Sequence, residues 1–471
     1  MSLSHLFIPS SIQSYSVALA QAQYQQQCEL QKHHLHQQQE EQKRRNSEKS
    51  TDSSTRSASS STAATTTSTT LTTTTNTIDT TTSKMLIPSS TSTSMSTSTS
   101  GSNQSTDSNV PSHTSHSPSS KGPPPLIEQQ GRLWIGDPTL AYPLPCDHNE
   151  IARQIMNLEC LSVCFGNIFC NSEFETRVPN RVLEVGCGPA TWSHKCHNYF
   201  KSKGHSDVEF HGIDIVEICP NLRKLGVNWH FKQCDIRELK IPFPMEYFDF
   251  IFIKDASLIR TPVPAWLELW IQYLRPGGVI EVWETDHVFR ALLPHPPPAP
   301  GLPKKCYEQA AKTKTYTICP STPWTDAKNQ FLIDYNGWIQ QVFSNSQLST
   351  TPCSNVGLSF STEGDSLENT GSRRIAIPLG HMQWEQDDPN CPDITNEQMA
   401  LRKIFLYTTS RTMRSINHAL IETSQKTPEE YARWWSQLTL ELVGNTGISS
   451  GECLEAGAWW GTKKVMTEGK S

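Results

Sequence analysis

Four carboxylates, Glu184, Asp214, Asp235 and Asp255, each sit in or at the end of a short apolar run, and the first stands directly before a glycine turn, Gly186-Cys187-Gly188. Glycines at a strand end allow a tight turn and a close approach of backbone to ligand, so a nucleotide-like ligand is the natural occupant. A dinucleotide fits poorly, because a GxGxxG pattern read from Gly186 puts Thr191 where the third glycine belongs. The Glu184 carboxylate would repel a pyrophosphate and suits a ligand carrying an ammonium or sulfonium. Taken singly, each carboxylate could be an ordinary turn or helix cap. Four in succession at one topological position argue for a shared site.

The elements that must position them alternate in type. RVLEV from Arg181 to Val185 is a first strand, and a helix follows from about Ala190 to Lys203, stopping near Gly204. Pro189 is tolerated where that helix starts. Val208–Ile215 is a second strand ending near Asp214, and Asn228–Cys234 a third ending at Asp235. FDFIFIKDA from Phe248 has the continuous apolar centre of a strand covered on both faces, and ends at Lys254 and Asp255. An amphipathic helix from Pro264 to Leu274 and the turn Arg275-Pro276-Gly277-Gly278 lead into a fifth strand ending near Glu284 and Asp286. Such alternation specifies a parallel sheet, whose right-handed crossovers bring the strand ends to one edge.

Composition bounds the rest. The chain has 471 residues, a net charge of -6 and 14 cysteines. That charge gives no strong nucleic-acid signal, since phosphate neutralisation needs a basic face. The cysteines are scattered without a CxxC pair, so reduced thiols are expected and no metal site. Cys160 with Cys164, and His194 with Cys196 and His197, have helical spacing but lack a second half; these histidines read as exposed. No signal peptide or long apolar span appears, and a soluble, intracellular protein of cytoplasm or nucleus is expected. The chain divides into 1–122, a disordered tail that is Gln/His-rich and then Ser/Thr-rich, with a basic triplet Lys43-Arg44-Arg45 readable as an import signal or as solvated charge; 123–180, a helical extension; 181–290, the core; and 291–471. The last part is expected to form helices near Ala327–Phe343, Glu397–Thr423 and Pro428–Val443.

These residues resemble a class I S-adenosylmethionine-dependent methyltransferase. EVGCGPA from Glu184 matches that family's acidic residue and GxGxG turn, except that Ala190 replaces the last glycine, and LRPGGVIEVWE from Leu274 looks like its helix, PGG turn and fifth strand. YPLPCDHNEIARQ from Tyr142, together with VLEVGCGPATW and EVWETD, is similar to the fungal LaeA-like group, which acts in the velvet complex. Asp147 and Glu150 match its YxLPxDxxE segment, whereas MNLECLSVCFGN lacks the usual QH pair.

The resemblance implies an α/β, Rossmann-like class I methyltransferase fold with a mostly parallel seven-stranded sheet and helices on both faces. Its last two strands would be RRIAIPL from Arg373 and GAWWGTKKV from Gly457, and the helices between them a lid over an acceptor site, with Trp434, Trp435, Trp459 and Trp460 as candidate lining or as plain core. It implies S-adenosyl-L-methionine as cofactor, with Glu184, Gly186 and Gly188 at the methionyl part, Asp214 on the ribose, Asp235 and Ile236 at the adenine, and Lys254 and Asp255 facing an unidentified acceptor. A general base would come from Asp255, Glu284 or His287, which the sequence does not rank. Methyl transfer from a sulfonium needs positioning rather than a covalent enzyme intermediate or a metal. The segment KDASLIRTP lacks the asparagine-proline-proline-aromatic motif of many amide and base methyltransferases. Regulatory protein partners are implied by the subgroup, and the competing class is a cofactor-binding scaffold of velvet-complex type without efficient turnover.

Overall fold

The computed structural model describes residues 124–260, 266–389, 391–443 and 450–465. The predicted tail, its Gln/His tract and the basic triplet lie outside the described residues.

The first described elements are β1 (Leu126–Gln129) and β2 (Arg132–Ile135), an antiparallel hairpin turning at Gln130 and Gly131, both at positive φ. Positive φ at both central residues is the geometry of a two-residue hairpin turn. The stretch from 123 to 180, read from sequence as helical, therefore also holds a hairpin. Helix α1 (His148–Phe165) follows; Asp147 caps it, accepting the Glu150 N–H at 3.0 Å and pairing with Arg132 of β2.

The core then runs β3 (Arg181–Val185), α2 (Thr191–Ser202), β4 (Glu209–Asp214), β5 (Asn228–Gln233), β6 (Phe248–Lys254), α3 (Trp266–Tyr273) and β7 (Leu274–Thr285). Laterally the order is β5-β4-β3-β6-β7, all parallel. The reversal of direction beside β3 makes the crevice above it a topological switch point, where open α/β sheets bind ligands.

The remaining elements are β8 (Arg290–Leu292), α4 (Lys304–Thr313), β9 (Tyr316–Ile318), β10 (Trp324–Asp326), α5 (Gln330–Asn345), α6 (Pro352–Thr362), β11 (Leu367–Pro378), α7 (Gln383–Asp387), α8 (Asn396–Ser415), α9 (Asn417–Ser424), α10 (Pro428–Val443) and β12 (Glu452–Lys463). Strand β12 inserts antiparallel between β7 and β11, completing the expected seven strands, while β8, β9 and β10 widen the sheet to ten. Both final strands start earlier than RRIAIPL and GAWWGTKKV suggested. The helix expected from Glu397 to Thr423 breaks at Ile416, whose φ of -95° and ψ of 5° end α8 and begin α9. Ile416 and Asn417 are weak helix formers, and neither resists the break.

Alternation along β3 sorts the core. Val182 packs with Phe210, Phe250 and Trp192 on one face, Leu183 and Val185 with Ile213, Ile251 and Ile280 on the other. Trp192 of α2 stacks on Phe252 at a centroid distance of 3.9 Å. His197, expected at the surface, is buried beside Phe210 because it lies on the inward face of α2 with Trp192, Ser193 and Cys196. Among the described residues no helix is long and apolar enough to cross a membrane.

Candidate active site

The carboxyl ends of β3 to β6 open onto one cleft of about 150 Å³, and Glu184, Gly186, Gly188, Asp214, Asp235, Ile236, Lys254 and Asp255 all line it. Gly186 has a φ of 61°, and a Cβ built there would meet nothing within 4 Å. A ligand can lie directly on its backbone. Asp214 accepts the Gly188 N–H at 2.8 Å and the Ile215 N–H at 2.7 Å, so the carboxylate also fixes the glycine turn. Burial pushes its pKa up against these hydrogen bonds. Ala190 is fully buried at a φ of 53°, holding the left-handed conformation in place of the glycine usual there.

Glu184 reaches the start of α2, accepting the Ser193 N–H at 3.1 Å and its hydroxyl at 2.6 Å. Desolvation outweighs both bonds and raises its pKa to about 8. Asp235 is paired with Arg237, which donates to it at 2.6 Å and to Asp137 at 2.5 Å. The guanidinium thereby ties the segment after β2 to the end of β5. Lys254 pairs with Asp255, which sits at a φ of 53°. A left-handed non-glycine residue at a cleft is strain of the kind that clusters at functional sites.

The three proposed bases separate in space. Asp255 alone of them lines the cleft. Glu284 is buried behind it, accepting the Ser257 N–H at 3.0 Å and hydroxyl at 2.7 Å, and burial raises its pKa to about 8. It braces the turn after Asp255. His287 lines a second, inner chamber of about 50 Å³ that shares Leu144, Arg153, Asp255 and Leu258 with the cleft. Burial lowers its pKa to about 4, so the ring is neutral at pH 7.

Sequence reasoning left out part of the wall. Tyr142, Leu144, Glu150, Arg153 and Gln154 also line the cleft. Arg153 grips Glu150 through three contacts of 2.6 to 3.0 Å, and Ser415 at the end of α8 donates to the same carboxylate at 3.3 Å. The signal was present in YPLPCDHNE, but only folding shows that Asp147 caps the helix while Glu150 faces the cleft. The four candidate tryptophans line neither cavity. Trp434 packs on Trp338 and Tyr431, with centroids 4.6 and 5.3 Å away, and Trp459 joins the core beneath β7. The plain-core reading therefore holds for Trp434 and Trp459, the first because α10 packs against α5 and α9, the second because β12 lies within the sheet.

Asp286, Cys353 and Glu455 offer ligand atoms close enough for one ion. Arg290 pairs with both carboxylates and Arg374 donates to Glu455 at 2.6 Å, so these charges are already balanced.

Residues 182–278 match the family model described as a methyltransferase domain. No curated protein matches the chain. Among solved structures, phosphoethanolamine N-methyltransferase 2 of Haemonchus contortus, in complex with phosphomonomethylethanolamine and S-adenosylhomocysteine, is 11% identical, with 66% of this chain and 58% of that chain covered and a TM-score of 0.26. A putative sarcosine dimethylglycine methyltransferase from Galdieria sulphuraria is 14% identical, covering 67% and 86%, with a TM-score of 0.28. The YcgJ protein of Bacillus subtilis is 16% identical, covering 66% and 99%, with a TM-score of 0.27. The fold is the Rossmann-like class I methyltransferase fold, given by the strand order, the antiparallel β12 and the family match together.

Proposed function

We propose that this protein is an enzyme that binds S-adenosyl-L-methionine in the outer cleft and transfers its methyl group to an acceptor arriving beside Asp255. The single observation that carries the reading is the convergence of Glu184, Asp214, Asp235 and Asp255 on one cleft above a glycine turn. The donor set fits the cofactor. The open backbone at Gly186 leaves room for the methionyl part, and Glu184 is an acceptor for its ammonium. Asp214 has no competing donor and can take both ribose hydroxyls. Asp235 offers acceptors to the adenine amino group while Ile236 covers the ring.

When bound, the cofactor supplies a methyl group already activated by the positive sulfur. The protein's own work is orientation and exclusion of water. Lys254 and Asp255 pair at the end of β6, where the acceptor meets the cleft, and Glu284 holds the following turn through Ser257. Isothermal titration tests the reading: micromolar binding of S-adenosylmethionine and S-adenosylhomocysteine with none for NAD is expected, and binding of NAD alone would overturn it.

The finer reading is a regulatory methyltransferase of the fungal LaeA-like group, working with velvet-type protein partners. Its support is that Tyr142, Leu144 and Glu150 of the YPLPCDHNE segment line the cleft. A scaffold that holds the cofactor without turnover is the rival. Methyl loss from labelled cofactor when a velvet-type protein is added supports the enzyme; tight cofactor binding without methyl loss supports the scaffold.

A further inference from the structure

The inner chamber is built from α1, the end of β7 and α8, and four of its polar atoms are unusual. Asn157 Oδ1, Thr285 Oγ1, His287 Nε2 and Thr409 Oγ1 are all buried and have no hydrogen-bond partner within the protein. Neighbouring hydroxyls behave differently: Thr408 donates to the Phe405 carbonyl at 2.9 Å, and Thr412 to the Thr408 carbonyl at 3.1 Å. A buried polar group without a partner is costly, and four around one space indicate that something polar satisfies them. The space is large enough for a few water-sized groups.

The charges facing the chamber are already matched. Arg153 is held by Glu150, Asp255 by Lys254 and Asp286 by Arg290. An ionic head group would leave water without meeting a free counter-charge. An uncharged group with both donors and acceptors would exchange its hydrogen bonds to water for bonds to these four atoms.

Resting on the methyltransferase reading, we propose that this chamber receives the methyl acceptor, and that it selects a compact, uncharged head bearing amide or hydroxyl groups. Asn157, Thr285, His287 and Thr409 hydrogen-bond that head and act as specificity-determining positions. The walls shared with the cleft, Leu144, Arg153, Asp255 and Leu258, place the chamber's mouth against the cofactor cavity.

The test uses the full chain saturated with S-adenosylhomocysteine and three probes of similar size: acetamide, acetate and methylammonium. Binding is followed by ligand-observed nuclear magnetic resonance. Acetamide is expected to saturate in the millimolar range, with both charged probes at least tenfold weaker. Thr409→Val and the double variant Thr285→Val/Thr409→Val keep side-chain shape and remove the hydroxyls; they should weaken acetamide at least fivefold with S-adenosylhomocysteine affinity within twofold and an unchanged or higher Tm. Absence of acetamide binding, equal binding by the variants, or preference for a charged probe would each overturn the chamber's role. Failure to bind S-adenosylhomocysteine would instead remove the underlying methyltransferase reading, whatever acetamide does.

Discussion

The outer cleft and the inner chamber adjoin, yet they are built in opposite ways. The cleft is walled by carboxylates at the ends of consecutive parallel strands, each supported by backbone N–H groups or a cationic neighbour. The chamber is walled by amide, hydroxyl and imidazole groups drawn from α1, the end of β7 and the residues just after it, and α8, with the charges that face it paired. The difference teaches a division of labour. On the proposed reading, the acidic strand ends suit a ligand with positive and hydroxyl groups, whereas a chamber whose charges are already paired discriminates by shape and hydrogen bonding.

The strongest way to break this comparison is Asp214→Ala. It should lower S-adenosylmethionine affinity about 100-fold, or ~3 kcal/mol, by removing a charged acceptor of two hydroxyls. Acetamide binding should be unchanged. Equal loss at both places would mean that the two cavities form one site.

Glu184→Gln comes next, with an expected loss of about tenfold in cofactor affinity. Its pKa near 8 in the folded protein lies above the ordinary 4.5. The folded protein therefore keeps a proton that the unfolded chain releases, and this group's stability contribution is lost as pH rises from about 4.5 to about 8. Glu184→Gln should melt higher than the parent at pH 8, and the gap should close toward pH 5. An ammonium arriving beside Glu184 should favour its ionisation, so cofactor binding near pH 7 should release up to about one proton. Calorimetry in two buffers of different ionisation enthalpy measures it; zero release would take Glu184 away from the ammonium.

Arg237→Met cuts the tie between Asp235 and Asp137, and a loss of about fivefold in cofactor affinity is expected, ~1 kcal/mol. Ala190→Gly should be the mildest change. It relieves the left-handed strain at a φ of 53° and should raise stability by ~1 kcal/mol in denaturant unfolding, with cofactor affinity within twofold. A stability loss would show that the Ala190 methyl packs more usefully than its backbone is strained.

Legibility followed the same division. Glu184, Asp214, Asp235 and Asp255 could be placed together because parallel strands with crossover returns leave few choices for where their ends meet. Thr409 and Asn157 had no such guide: a threonine in a helix and an asparagine in another carry no mark of facing each other across a chamber. The tryptophan pairs left two readings open for a related reason. A large aromatic residue suits a core and a pocket alike, and only the packing of Trp434 on Trp338 of α5 and the place of β12 inside the sheet decided for the core.

By itself the sequence determined the parallel sheet, the glycine turn and the acidic strand ends, because these follow from local periodicity and from the backbone freedom of glycine. The tertiary structure decided which of Asp255, Glu284 and His287 face a cavity, that Glu150 rather than Asp147 joins the wall, and that α1 and α8 enclose a second chamber. Those outcomes depend on contacts between segments hundreds of residues apart, such as Ser415 with Glu150, whose cost and gain no local pattern records.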